Sequence, residues 1–213
     1  MSIAHLDELD RIELADGFVW RPVRRHFGIR AFGVNAYTPG ASGQVVEEHT
    51  EQTYQHEEMY LVLRGRVRFT VGEDEHELGP GQLVFVSDPS LRRAAVAVTD
   101  DAAVLAIGGK PGAAHEVSPW EYTFTASPHI RAGRYEEARR LLHEGLEAKP
   151  GSPSIVYDLA CVEALAGESD TALALLNEAV AKDERFRGYA QTDEDFASIR
   201  DDPRFPRPAG KPA

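Results

Sequence analysis

Cysteine is almost missing from this chain: Cys161 stands alone among 213 residues. One thiol cannot close an intramolecular disulfide, which points to a reducing, cytoplasmic setting. Long apolar runs are missing too. No stretch suffices for a helix to cross a bilayer, so no membrane span is expected. The acidic start MSIAHLDELD also lacks the basic-then-apolar order of a secretory signal. Basic charge is scarce: 23 Lys and Arg against 35 Asp and Glu leave a net charge of −12, divided evenly between the two halves. Such a balance opposes a phosphate backbone, so no nucleic-acid partner is expected. The one basic cluster, Arg21, Arg24, Arg25 and Arg30, reads as a solvated strand face.

What the first half does hold is short apolar runs broken by turn residues. Strands are expected over 31–37, 44–49, 58–63, 67–71, 83–86, 94–98 and 104–107. The breaks, such as Thr38-Pro39-Gly40, Arg64-Gly65-Arg66 and Gly79-Pro80-Gly81, supply the fixed or positive φ angles that turns require. Many short strands at this spacing indicate a sandwich or barrel. In the strand 58–63, Met59, Leu61 and Leu63 alternate with Tyr60 and Val62, so both faces are apolar. One face then lines an interior, and the other needs a helix, a sheet or a second copy as cover.

Two local patterns occur in order. His56-Glu57-Glu58-Met59-Tyr60-Leu61-Val62-Leu63-Arg64-Gly65 separates a glutamate from a glycine by six residues, and Pro80-Gly81 opens a further strand. Residues from about 30 to 110 thereby resemble a cupin, a small double-stranded β-helix. That resemblance implies a site of two histidines, the motif glutamate and a histidine eleven residues after the second glycine. Three imidazoles and a carboxylate suit divalent iron, manganese, nickel or zinc. Glu58 is in place, but the last histidine position holds Arg92, and the histidine pair is not at its usual distance.

Two arrangements are open. His49, His56 and Glu58 form a reduced metal set, opposed by a guanidinium that stays charged and cannot ligate. Alternatively, Arg92 reaches Glu58 inside the barrel mouth, either as a structural strut or as the receptor for a small anionic ligand, with Tyr60 and His56 beside it. In this register Arg93 faces outward. Glu57 and Glu58 are strand neighbours on opposite faces and cannot act as a catalytic pair.

Past residue 128 the composition turns to alanine, leucine and glutamate. Ala132-Gly133 recurs as Ala166-Gly167, Ala138 as Ala172, Leu142 as Leu176 and Glu144 as Glu178. A 34-residue helical period resembles tetratricopeptide repeats. Ser152-Pro153 starts a helix, Gly133 and Gly167 end helices, and Asp193 caps a last short one. Gly145 departs from the pattern, standing where alanine is usual. Two repeats fall short of the three an independent solenoid needs. That favours helices serving as a structural extension, with capture of a peptide or protein partner as the other reading.

The expected architecture is α+β: a cupin barrel with an N-terminal strand extension over 1–115, a linker over 116–128, an antiparallel helix-hairpin domain over 129–203 and a disordered tail over 204–213. The leading function is a non-catalytic small-molecule-binding or sensory barrel with a helical interaction module, as a homodimer in the cytoplasm. Whether the protein is an enzyme stays open. The alternatives are a metal-dependent cupin enzyme of dioxygenase or isomerase type using His49, His56 and Glu58, and an oligomeric assembly protein without a ligand.

Overall fold

In a computed structural model, which describes residues 2–14 and 17–207, the chain divides into two units, residues 1–117 and 118–213. The first unit is built from β1 (Ile12–Glu13), β2 (Phe18–Arg21), a short helix α1 (Val23–Phe27), β3 (Gly33–Pro39), β4 (Gln44–His49), β5 (Glu57–Arg64), β6 (Val67–Val71), β7 (Asp74–Leu78), β8 (Leu83–Val86), β9 (Arg93–Ala97) and β10 (Ala103–Gly109). All pairings are antiparallel, in one sheet ordered β1-β2-β3-β10-β5-β8 and a second ordered β4-β9-β6-β7.

Alternation sends one face of each strand into a shared core of Val45, Tyr60, Val62, Val67, Phe69, Val86, Ala95 and Val104. On β5, Tyr60 and Val62 are buried, whereas Leu63 on the opposite face is exposed, together with Leu83 and Phe85 of the neighbouring β8. Gly65 makes the β5–β6 turn at φ 64°, where a Cβ would lie 2.6 Å from the Ala102 backbone. Only glycine fits there.

Sequence reasoning passed over β7. Asp74-Glu75-His76-Glu77-Leu78 is nearly all charged and exposed, and it forms a strand because it pairs with β6 at a sheet edge, where charge blocks further pairing. The basic cluster is also not a simple solvated strand face. Arg21 on β2 is buried and donates to the Leu9 carbonyl at 3.0 Å, and Arg24 lies in helix α1 and donates to the Ile29 carbonyl at 3.0 Å.

The second unit comprises α2 (Pro119–Arg131), α3 (Tyr135–Ala148), α4 (Pro153–Leu165), α5 (Ser169–Lys182), α6 (Arg185–Thr192) and a 3-10 turn, Glu194–Phe196, that Asp193 caps. Helices α2 and α4 start 34 residues apart, as do α3 and α5. The stretch 116–128, expected to be a linker, is therefore mostly the first helix of a complete repeat. Its proline, serine and threonine content hid it, yet Ser118-Pro119 recurs one period later as Ser152-Pro153 and marks the same helix start.

Gly133 and Gly167 adopt positive φ after α2 and α4. The Arg134 and Glu168 amides reach back to the His129 and Glu163 carbonyls at 2.9 Å, closing both helices in Schellman fashion. Gly145 has a physical reason: a Cβ there would meet Ile155 and Tyr122 at 2.9 Å, so its absence lets three helices converge. The tail expectation fails over 204–207, because Phe205 is buried against Phe196; residues 208–213 lie outside the described residues. Among the described residues no helix is long and apolar enough to cross a membrane.

Candidate functional site

The polar cluster of the barrel is assembled from both sheets. Glu58 and Tyr60 are two apart on β5 and so share its inner face, and the Tyr60 hydroxyl donates to Glu58 Oε2 at 2.5 Å. From the second sheet come His49, at the end of β4, and Arg93, at the start of β9, paired directly across the ladder. A one-residue bulge between Val46 and His49 shifts the register of β4 there, which is how a histidine follows two buried valines into the same interior. His49 Nε2 lies 3.5 Å from Glu58 Oε2 and 3.7 Å from Glu51 Oε1. Arg93 Nε lies 3.4 Å from Glu58 Oε2.

The loop from β4 to β5 completes the cluster. The Glu51 amide donates to the Pro89 carbonyl at 2.9 Å, tying the loop to the β8–β9 turn. Gln55 takes φ 58°, an uncommon conformation for a side-chain-bearing residue. His56 Nδ1 then meets Glu51 Oε2 at 3.1 Å, and its ring stacks on Tyr54 at 5.6 Å.

Electrostatics are set by this packing. Burial pushes the Glu58 carboxyl up, but the bonds from His49 and Tyr60 and the charge of Arg93 outweigh it and hold the group below its ordinary value. Burial disfavours the His49 cation, yet Glu58, the Glu47 carbonyl and Glu51 raise it above ordinary. Tyr60 is driven well up by burial and by the carboxylate beside it. His49 Nδ1 sits 2.7 Å from the Glu47 carbonyl oxygen and donates to it, which leaves Nε2 facing the carboxylates, toward which it carries a second proton when the ring is the cation.

Of the residues expected at the site, His49, Glu58 and Tyr60 come together, and His56 joins through Glu51. Arg92 does not. It is exposed and pairs with Glu48 at 3.0 Å on the surface, while Arg93 is the inward residue at 0% exposure. The turn between β8 and β9 is closed by Asp88 and Ser90 and spans residues 87–92, so the strand begins at Arg93. A shift of one residue exchanges the faces. Glu51 was not among the residues expected at the site; the signal that could have found it is its place two residues after His49.

His49, Glu51 and Glu58 bring ligand atoms within 4.8 Å of one another and fit a divalent metal by donor type. Charge opposes it. Glu58 Oε2 already accepts from Tyr60 and faces His49 and Arg93, and the guanidinium repels a cation.

A second cluster lies in the helical unit, where Cys161, Asp193 and Asp195 come within 4.8 Å in a cleft of about 550 Å³. Tyr157 donates to Asp193 at 2.8 Å. Burial, with Asp193 and Asp195 nearby, pushes Asp158 up to about 7, and burial beside these carboxylates keeps the Cys161 thiol protonated.

Residues 36–108 match the family model of the cupin domain, and residues 129–191 match that of the tetratricopeptide repeat. No curated protein matches the chain. Among solved structures, KdgF from Halomonas sp. is 17% identical over 51% of this chain and 92% of its own, at a TM-score of 0.40. A sugar phosphate isomerase of the cupin superfamily from Silicibacter pomeroyi is 20% identical over 51% of this chain and 76% of its own, at 0.38. The polyketide cyclase RemF from Streptomyces resistomycificus is 17% identical over 58% of this chain and 92% of its own, at 0.42. These likenesses concern the fold.

Proposed function

For a chain that joins a cupin barrel to tetratricopeptide-repeat helices, we propose a non-catalytic small-molecule receptor in the barrel and a protein-interaction module in the helices. The observation that carries this reading is the set of groups gathered on Glu58 Oε2: a hydrogen bond from Tyr60 and close ion-pair contacts with His49 and Arg93. A carboxylate held this way is a weak base, and a phenol with so high a pKa is a weak acid, so neither is matched to proton transfer near neutrality. What they are suited to is fixed polar recognition within an otherwise apolar barrel. The exposed apolar face at Leu63, Leu83 and Phe85 supports a homodimer, and the single cysteine supports a cytoplasmic site. A thermal-shift screen of the full chain against a small-molecule panel tests the receptor reading. Saturable stabilisation that is lost when Tyr60 is replaced by phenylalanine supports it, and a flat response to every compound counts against it.

The second reading is a metal-dependent enzyme. It is favoured by the 4.8 Å convergence of His49, Glu51 and Glu58 and by the His49 Nε2 that its Glu47 bond leaves available. A divalent iron, manganese, nickel or zinc ion held there would supply Lewis-acid or redox chemistry. Elemental analysis of tag-free protein, purified without chelator or nickel resin, decides between the two. Near-stoichiometric metal would make the enzyme the leading reading.

A further inference from the structure

Arg93 is the most unusual side chain in the barrel. It is wholly buried, and none of its three nitrogens makes a hydrogen bond to a described residue; its one ion pair among the described residues is with Glu58, at 3.4 Å from Nε, and the Asp88 carboxylate acts on it from farther off. A guanidinium stays charged when buried and carries five donors, and proteins rarely leave such donors unmet. Glu58 cannot meet them all. The Tyr60 bond at 2.5 Å and the His49 contact at 3.5 Å fall on the same oxygen that faces Arg93, and that oxygen approaches Nε alone, so the two terminal nitrogens of the planar fork are unmet. His49, Glu51 and Glu58 retain partial exposure, so the cluster reaches the surface with Arg93 at its inner end.

We propose that Arg93 is an anion receptor: the carboxylate of a small organic acid seats on its two terminal nitrogens, and Glu58 is the internal carboxylate that keeps the guanidinium paired until the ligand arrives. This rests on the receptor reading and names its ligand class. A planar pair of oxygens matches the edge formed by Nη1 and Nη2. A dianionic phosphate does not suit the site, because Glu51 and Glu58 already place two negative charges there. Each further charge at such range is opposed strongly in a poorly solvated interior. Ligand and Glu58 therefore compete for one guanidinium. Neutralising Glu58 strengthens ligand binding, whereas a Glu58 that helped to hold the ligand would weaken binding on neutralisation.

The test is calorimetric titration of the full chain, stripped of metal on a chelating resin and moved to buffer free of chelator and carboxylate, with acetate, benzoate, benzamide, glucose and inorganic phosphate as probes. Three proteins are compared: wild type, Glu58→Gln and the double variant Glu58→Gln/Arg93→Met, which replaces both members of the buried pair and serves as the folded reference. The expected result is saturable benzoate or acetate binding to wild type, at least about tenfold tighter binding to Glu58→Gln, and none to the double variant. Equal affinity in the double variant, weaker binding to Glu58→Gln, or phosphate binding tighter than carboxylate would overturn the proposal. Binding of benzamide or glucose without benzoate or acetate would overturn the anion assignment and leave the receptor reading standing. No response to any probe would count against both.

Discussion

Neutralising Glu58 tests the barrel site most directly, because it leaves Arg93 buried without its one ion-pair partner among the described residues. At 3.4 Å and an effective dielectric near 20, the attraction between the two is on the order of 5 kcal/mol. Glutamine still accepts from Tyr60, so part of the network survives. The expected cost of Glu58→Gln is about 3 kcal/mol, the low end for breaking a buried pair from one side. Glu57→Gln, on the adjacent residue and opposite face, changes stability by less than about 0.5 kcal/mol. Adding Arg93→Met to Glu58→Gln removes the stranded charge and restores stability to within about 1 kcal/mol of wild type, since apolar replacement of a whole buried pair is near neutral. Denaturant unfolding in a Trp120→Phe background reads this from Trp20, which is fully buried in the first unit. A double variant no more stable than Glu58→Gln alone, or a Glu58→Gln protein as stable as wild type, would refute the pairing of Glu58 with Arg93.

The same denaturation assay applied to Arg92→Ala should show a change within about 0.5 kcal/mol, because the Arg92–Glu48 pair is solvated on both sides; a loss of several kcal/mol would place Arg92 inside after all. The stability that Glu58 contributes is present above its ordinary 4.5 and is lost as pH falls through its lower folded value. That of His49 is complete below its ordinary 6.5 and is lost as pH rises through its raised folded value. Thermal midpoints of the first unit should accordingly hold steady from pH 4.5 to 6.5 on account of this pair and decline on either side. His49→Asn should flatten the alkaline limb, and an unchanged limb would exclude His49 as its source. In the helical unit, Gly145→Ala should destabilise by about 1–3 kcal/mol despite the better helix propensity of alanine, since its Cβ meets Ile155 and Tyr122 at 2.9 Å; thermal unfolding followed by helical circular dichroism measures it.

The architecture was legible in the residues because it depends on local rules. Alternating runs between turn residues mark β3 to β6 and β8 to β10, and the 34-residue recurrence of Ala-Gly and leucine positions marks the helical hairpins. Glu58 and Tyr60 could be placed on one inner face from strand alternation alone. Tertiary structure decided the rest. A six-residue turn ahead of β9 set which of two adjacent arginines is buried, and strand periodicity carries no record of a turn's length. The bulge that aims His49 inward is likewise a relation between two paired strands. Glu51 lies in an irregular loop whose path depends on a bond to Pro89, thirty-eight residues away in the chain. The two repeating scaffolds and the shared inner face of Glu58 and Tyr60 follow from the residues themselves; only the packing of one sheet against the other determined that His49 and Arg93 meet that glutamate, because they do so through register and loop length.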